Sequence, residues 1–435
     1  PHERIASGRR GGQEIHRELI MASIHAQQLN LNQTLRIDYI FSGDVQQREI
    51  AVSELNTFDG WYGRHVNLDT LALQGNGKIY LRDARTKRLL YCNSFSTLFQ
   101  EWLNTEEATR TRKAFENVFL LPMPTDSALV SIELYGNHNK LLVQYTHKIN
   151  PKDILIRKIN PAQIPPHKYI LKSGAPEKCI DIAILAEGYR AEEADSFYHH
   201  AEIATEQLFL HEPFKSMKDR FNVVAVALPS LESGVSIPGK GEWKNTALKS
   251  HFDTFYSDRY LTTLDLKNLH NSLIGIPYEH FIILANTDNY GGGGIYNSYT
   301  LTTAKHKLFK PVIVHEFGHS FGGLSDEYYY DDQYTNYYYP DAEPWEQNLT
   351  TLNNFAAKWE DMLPAKTKIP TPPNLKKLDQ IGVYEGGGYQ SKGVYRAFQD
   401  CRMKTNECKA FCPVCQRALR RLIDYYTQEQ RNGKN

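Results

Sequence analysis

Two histidines spaced four residues apart, His315 and His319, mark the segment of this chain best suited to chemistry. On an α-helix this spacing puts both side chains on the same face, one turn apart, so both imidazoles can bind the same metal ion. Glu316 directly follows the first histidine, and the pattern His-Glu-x-x-His is typical of Zn²⁺ sites in which the glutamate is the general base. The sequence therefore predicts one catalytic Zn²⁺, with Glu316 taking the proton of the attacking water. The alternative is a buried helix with two hydrogen-bonded histidines.

A third metal ligand is expected shortly after the second histidine. Gly322 stands three residues after His319, which extends the motif to a pattern whose glycine turns the chain back to deliver another histidine. Ser325 occupies that position here, and Asp326 and Glu327 follow it. Because a carboxylate is an ordinary zinc ligand, we predict Asp326 as the third ligand, with Glu327 as the alternative.

The same stretch supports a weaker hypothesis, a Ca²⁺ ion bound by carboxylate oxygens. No EF-hand spacing accompanies these acidic residues, which argues against the hypothesis. The candidate ligands are Asp326, Glu327, Asp331 and Asp332.

The flanking sequence predicts that both histidines lie on a packed helix. Pro311 suits the first turn, where its missing N–H would have no helical partner. The apolar residues 312–314 and Phe317 can face a core. Gly322 and Gly323 can end the helix, because glycine accepts a positive φ.

Four of the six cysteines lie within fifteen residues near the C-terminus. Only one pair has Cys-x-x-Cys spacing, so a second zinc site with four thiolates is the less favoured interpretation. At least one disulfide, in an exported protein, is the favoured one. The four residues are Cys401, Cys408, Cys412 and Cys415; the other two cysteines are Cys92 and Cys179.

Composition excludes some classes of function. The 435 residues include 50 basic and 50 acidic side chains, so no basic surface for nucleic acid or an acidic membrane is indicated. No apolar run approaches about 18 residues, so no transmembrane segment is predicted. Because the chain begins with Pro1 rather than Met, we expect a processed or truncated start from which any signal peptide has been removed.

Changes in hydrophobic pattern predict a multi-domain α+β protein. Residues 1–30 are polar, and residues 31–150 contain short alternating runs that predict an antiparallel β-sandwich. Prolines mark residues 151–178 as a linker. Residues 179–435 predict an α/β domain, with strands at 181–186, 221–228 and 279–285 and helices at 191–211, 258–273 and 414–426.

A run of four glycines, 291–294, precedes the predicted metal helix. It lacks the Lys-Ser/Thr that follows a phosphate-binding loop, so nucleotide binding is not indicated. We predict a flexible turn followed by an edge strand, since an exposed edge can pair with an extended peptide substrate. The predicted edge residues are Ile295, Tyr296, Asn297, Ser298 and Tyr299.

The segment 315–328 resembles the signature of the bacterial IgA-peptidase family of zinc metallopeptidases, and segments 385–396 and 401–404 are similar to it as well. The resemblance covers about residues 30–430. It implies a β-rich N-terminal domain followed by a metzincin-like zinc metalloprotease domain. It also implies Zn²⁺ on His315, His319 and a carboxylate near Asp326, with Glu316 as the base.

The same resemblance assigns Met403 as the Met-turn, an apolar support beneath the metal rather than a ligand. Some metzincins have a tyrosine two residues after this methionine, where the present chain has Thr405. Tyr395 or Tyr389 could supply the oxyanion or substrate contact instead.

The expected function is a zinc endopeptidase that is secreted, periplasmic or on the cell surface of a bacterium. Its expected partners are extracellular or host proteins and peptides, with immunoglobulin-type substrates suggested by the resemblance. One alternative is an adhesion protein whose β-domain carries the main role beside an auxiliary protease site. Another is a zinc amidase acting on non-peptide amides.

Overall fold

The computed structural model describes residues 28–161, 163–331 and 336–428. The predicted polar segment 1–30 lies outside the described residues except for its last three. Across the described ranges the chain is a mixed α+β structure dominated by sheets. No helix within these ranges has the length and apolar character needed to cross a bilayer.

The N-terminal part contains two four-stranded sheets. The elements are β1 (Leu29–Gly43), β2 (Arg48–Asp59), β3 (Gly77–Asp83), β4 (Leu89–Phe95), α1 (Leu98–Trp102), β5 (Lys113–Pro124), β6 (Ala128–Tyr135), β7 (Leu141–Ile149) and β8 (Arg157–Lys158). The strand orders of the two sheets are β5-β1-β2-β8 and β4-β3-β6-β7.

Alternation along these strands builds the core between the two sheets. β3 and β6 bury every second residue, as expected when one face of an antiparallel sheet is covered. Ile79 and Val130 from one sheet share a core with Leu35 and Ile37 from the other. All strand pairs are antiparallel except the short contact of β8 with β2. The arrangement is the sandwich that the sequence pattern predicts.

The second part is organised around a six-stranded sheet. Its elements are β9 (His167–Lys172), β10 (Ile180–Glu187), α2 (Ala194–Phe209), β11 (Phe221–Val226), α3 (Leu266–Asn271), β12 (His280–Ala285), β13 (Gly292–Ile295), β14 (Tyr299–Thr303), α4 (Phe309–Ser320), β15 (Tyr329–Tyr330), β16 (Leu349–Thr350), β17 (Tyr384–Gly387), β18 (Tyr389–Arg396) and α5 (Pro413–Thr427).

The strand order in this sheet is β13-β14-β12-β10-β11-β9. The four central strands are parallel, and the two edge strands, β9 and β13, are antiparallel to their neighbours. Every residue of β10, β11 and β12 is buried, because helices or the other domain cover both faces of the sheet. β15 to β18 form a separate small sheet.

Three predictions of local structure are wrong in part. The predicted linker 151–178 includes β9. The strand begins directly after Pro166 and ends before Pro176, so no proline interrupts it. The predicted helix 258–273 is reduced to α3, because residues before it pair elsewhere: the nitrogen and oxygen of Thr262 each bond to His251. The glycine run is mostly strand β13 rather than a flexible turn.

The two domains contact each other through polar groups. Arg36 of β1 is 1% exposed, pairs with Asp38, and donates a 2.7 Å bond to Asn271 of α3. The Ser96 nitrogen donates to the Tyr296 oxygen at 2.9 Å. The β-domain is therefore packed onto the second domain rather than carried on a free linker.

Candidate metal centre and active site

Helix α4 presents His315, Glu316 and His319 toward a cleft while its opposite face is buried. Pro311 lies in its first turn, as predicted. The buried face joins the core through Ile313, Val314 and Phe317. Gly323 has a φ of 56° and its nitrogen donates to the His319 oxygen at 2.9 Å, so the chain turns back directly after the helix. Gly322 is not in this conformation.

Three donor atoms converge above this helix. The Nε2 atoms of His315 and His319 lie 3.0 Å and 3.2 Å from Asp326 Oδ1, and 3.0 Å from each other. Ligands about 2.0–2.2 Å from a tetrahedral zinc are about 3.3–3.6 Å apart, so the observed separations are a few tenths of an ångström shorter than that geometry. Asp326 Oδ1 is also buried without a hydrogen bond of acceptable direction. The donor set therefore fits a metal ion.

The remaining ring nitrogens fix the orientation of both imidazoles. His315 Nδ1 is 2.9 Å from the Arg402 carbonyl oxygen, and His319 Nδ1 is 2.6 Å from that of Leu324. Because a carbonyl only accepts, each Nδ1 must carry the hydrogen. When neutral, each Nε2 then points its lone pair at the shared point, as ligating histidines require.

The electrostatics of this cluster attract positive charge. Burial opposes ionisation of Asp326, but His319 and His315 outweigh it and hold the pKa of Asp326 well below its usual range. Burial likewise opposes charging of His319, but Asp326 and Glu316 raise the pKa of His319 to about 9. The buried carboxylate thus favours protonation of the two imidazoles, and a bound cation would displace those protons.

Glu316 lies beside the donor cluster without joining it. Burial raises the pKa of its carboxyl group, and the two histidines only partly offset this effect. A Cβ placed on Gly292 would lie 3.2 Å from Glu316 Oε1, and one on Gly294 would lie 2.3 Å from the Glu316 carbonyl oxygen. The glycines of β13 therefore allow the sheet edge to approach α4 closely.

Met403 is fully buried directly beneath α4. A Cβ on Gly318 would lie 2.6 Å from the Met403 sulfur. The Met403 segment also touches the donor set, because the neighbouring Arg402 oxygen contacts His315. Met403 therefore packs against the helix that carries both histidines, and its role as a Met-turn stays a prediction.

The two candidate tyrosines differ in location. The Tyr389 hydroxyl donates to Asp326 Oδ2 and its ring lines the cleft. Tyr395 lies on β18 opposite Thr350 and Glu385 and does not line the cleft. The prediction of an oxyanion or substrate contact from Tyr395 is therefore wrong, because Tyr395 lies six residues farther along β18 than Tyr389, outside the cleft.

The predicted substrate edge strand is also misplaced. Ile295 ends β13 and Tyr299 begins β14, and Tyr296, Asn297 and Ser298 form the turn between them. Asn297 has a φ of 50° and donates to the Ser94 oxygen at 2.8 Å, so this turn packs on the β-domain. The edge strand of the sheet is β13 itself, and the Gly292 nitrogen in it bonds to the Arg259 oxygen at 3.2 Å.

The metal-ligand candidates lie in a cleft of about 1230 Å³ formed by both domains. Glu101 of α1 lines it, accepts a hydrogen bond from Tyr260, and has a pKa raised to about 7 by burial. Sequence reasoning missed this residue because it is more than two hundred positions from His315 and carries no motif. Other lining residues without a sequence signal are Asn104, His138, Arg259 and Asn406.

Glu327 does not join the histidines. Its side chain is fully buried and accepts hydrogen bonds from Asn348 and the Cys415 thiol, at 3.0 and 3.2 Å. Asp326 and Glu327 therefore face different groups and cannot share the hypothesised Ca²⁺. Asp331 is in neither cluster of candidate ligands within the described ranges, and Asp332 lies outside them.

The predicted disulfide is not formed. All six cysteines, which lie within the described part of the chain, are free thiols. The sulfurs of Cys401 and Cys415 are 3.8 Å apart, whereas a disulfide requires about 2.05 Å. Cys408 instead contacts the Ala410 oxygen at 3.4 Å, away from the other three.

Comparison with known protein families identifies two matching family models. The family described as IgA Peptidase M64 matches residues 169–379 and 374–423, more than half of the chain, and the Peptidase M64 N-terminus matches residues 26–146. No curated protein matches the chain. With His315, His319 and Asp326 inside the larger match, the chain belongs to the IgA peptidase M64 family and is a peptidase, whose substrates are proteins or peptides.

Proposed function

We propose that this peptidase is an exported zinc endopeptidase with a metzincin-like catalytic domain. The observation that carries the proposal is the convergence of His315, His319 and Asp326 at 3.0–3.2 Å in the cleft, beside Glu316. When bound by these three side chains, zinc lowers the pKa of a water toward about 7 and polarises the scissile carbonyl.

Glu316 is the general base in this proposal. Its carboxylate lies on the same helix as both histidines but outside the donor cluster, so it is free to take a proton from the attacking water. The raised pKa improves its ability to hold that proton and to pass it to the leaving amine. The buried surroundings that raise the pKa therefore serve the proton transfer.

Tyr389 and Met403 are positioning residues in this scheme. The Tyr389 hydroxyl orients the Asp326 carboxylate by donating to Oδ2. The Met403 side chain supports α4 at Gly318. Neither side chain needs to touch the substrate to affect the geometry of the three donors.

The substrate is proposed to bind along β13. This strand is one edge of the sheet and lies against α4. Tyr260 pairs with it at Gly292, so an extended peptide would pair with the rest of the strand and run past Glu316. The β-domain forms the opposite wall through Glu101 and Asn104, which favours a role in holding substrate over a separate adhesive role. Immunoglobulin-type proteins are proposed substrates because of the family description.

A cleavage survey tests the proposal. The chain is incubated with mixed secreted proteins, including immunoglobulin A, and new N-termini are mapped by mass spectrometry. Cleavage should stop with a zinc chelator and return with added Zn²⁺, and His315→Ala should lose both the catalytic zinc and cleavage. Cleavage that persists in His315→Ala at the wild-type rate would refute the mechanism.

The third ligand has its own test. Asp326→Ala should weaken binding of the catalytic zinc. Glu327→Ala should weaken it less, because Asp326 still lies beside both histidines. Metal affinity is measured by competition with a chromophoric chelator. A greater loss at the His315–His319 site in Glu327→Ala would assign the ligand to Glu327 instead.

A further inference from the structure

A second cluster of potential ligands lies next to the catalytic cluster. Cys401, Cys412, Cys415 and Glu327 each offer a donor atom, and all of these atoms lie within 4.8 Å of one another. All four residues are buried, and none lines the catalytic cleft. We propose that these three thiolates and one carboxylate bind a second zinc ion, with a structural role.

The geometry of the cluster matches a tetrahedral thiolate site. Two sulfurs that are each about 2.3 Å from a tetrahedral zinc are about 3.8 Å apart. The sulfurs of Cys401 and Cys415 are separated by 3.8 Å. Four protein donors leave no open coordination position, which is the property that distinguishes structural zinc sites from catalytic ones.

Glu327 supplies an independent reason to place a cation here. Its Oε2 atom is buried and has no hydrogen-bond partner, while Oε1 has two. Leaving a buried carboxylate oxygen unpaired is costly. A bound ion would give that oxygen a partner, and the thiols would release their protons to solvent on binding.

The local backbone favours thiolates at this position. Cys412 is the N-cap of α5 and Cys415 lies in its first turn, where the helix dipole stabilises negative charge. The Cys412 nitrogen also donates to the Cys401 sulfur at 3.2 Å. A disulfide between any two of these cysteines would leave the third cysteine and Glu327 buried without enough donors to bind an ion.

The second site would brace the catalytic one, a consequence that rests on the proposed function. Glu327 directly follows Asp326, and the Glu327 nitrogen bonds to the Met403 oxygen at 2.8 Å. Cys401 is next to Arg402, whose oxygen contacts His315. An ion shared by Glu327, Cys401 and α5 would thus hold together the segments that orient the catalytic donors.

Metal stoichiometry of the full chain, purified with Zn²⁺ and reductant, tests the proposal. Wild type should contain about two zinc ions per chain, and the double variant His315→Ala/His319→Ala about one. Adding Cys412→Ser/Cys415→Ser to that double variant should remove the remaining ion. Cys408→Ser is the matched control and should change nothing, since Cys408 is outside the cluster.

Cobalt substitution keeps the test decisive if the cysteine variants fail to fold. Co²⁺ in the histidine double variant should show the near-ultraviolet charge-transfer absorption of cobalt–thiolate bonds. One zinc in wild type that disappears in the histidine variant would overturn the second site and leave the proposed function standing. A single zinc that survives in the histidine variant with the cobalt–thiolate band would support the second site and contradict the proposed catalytic metal. A disulfide between any two of the three cysteines in the reductant-free protein would also overturn the second site.

Discussion

The backbone nitrogen of Glu327 donates a 2.8 Å hydrogen bond to the carbonyl oxygen of Met403. Asp326, which directly precedes Glu327, is within 3.2 Å of both histidines, and Met403 packs under α4 at Gly318. One backbone contact therefore links the loop that carries the proposed third ligand to the segment that supports the helix carrying the first two. Displacement of either segment should therefore change the distances between the three proposed ligands.

Replacing the proposed base should separate metal binding from hydrolysis. Glu316→Gln keeps the shape of the side chain and removes its ability to accept a proton, so the rate should fall about 10²–10⁴-fold. Zinc content should be unchanged. Glu206→Gln, an exposed change on α2, is the control. A Glu316→Gln enzyme that cleaves at a near wild-type rate would exclude Glu316 as the base.

Loss of the Tyr389 hydroxyl should loosen Asp326. Tyr389→Phe removes the hydrogen bond to Asp326 Oδ2, and such outer partners typically contribute about 10–100-fold to metal affinity or activity. Chelator competition and kcat/KM are the measurements. Tyr395→Phe, on the same strand but outside the cleft, should match wild type; equal losses in both variants would argue against a positioning role.

A side chain at Gly294 should push β13 away from α4. Its Cβ would lie 2.3 Å from the Glu316 carbonyl oxygen and 2.8 Å from His319 Cβ. Gly294→Ala should therefore lower the free energy of unfolding by about 1–3 kcal/mol and reduce cleavage. Gly174→Ala, whose Cβ would meet only the Cys179 sulfur at 3.0 Å, is the control in denaturant titrations. Unchanged stability and activity in Gly294→Ala would contradict the close packing.

A buried histidine should make the fold sensitive to acid. Burial lowers the pKa of His280 to about 3, whereas an unfolded histidine titrates near about 6.5. Between these values the unfolded chain binds the extra proton, so stability falls as the pH falls from about 6.5 toward 3, by at most about 1.4 kcal/mol per pH unit from this group.

His280→Leu should remove that contribution, because leucine can fill the space against Phe321 and Tyr426 without a proton to gain. Urea unfolding of both proteins is compared at each pH, so contributions shared by the two proteins cancel. The stability of the variant relative to wild type should rise below about pH 6.5. A pH-independent difference between the two proteins would show that His280 does not titrate on unfolding.

Local spacing was sufficient to predict several features of this protein. The four-residue interval between His315 and His319 fixes their shared face, because a helix turns once in 3.6 residues. The continuous apolar runs of β10, β11 and β12 predicted buried strands, because strands covered on both faces need apolar side chains on both. Asp326 could be predicted as a candidate ligand because it follows the helix closely in sequence.

Other features depended on contacts between distant parts of the chain. Asp326 and Glu327 are adjacent and chemically similar, yet one faces the histidines and the other faces cysteines more than seventy residues away. The wall at Glu101 exists only because the two domains pack together. The edge strand β13 can lie close to α4 because Gly292 and Gly294 have no side chain to place against Glu316. The periodicity of the sequence predicts which side chains share one face of a helix or strand. Which residues that face contacts depends on packing between distant parts of the chain.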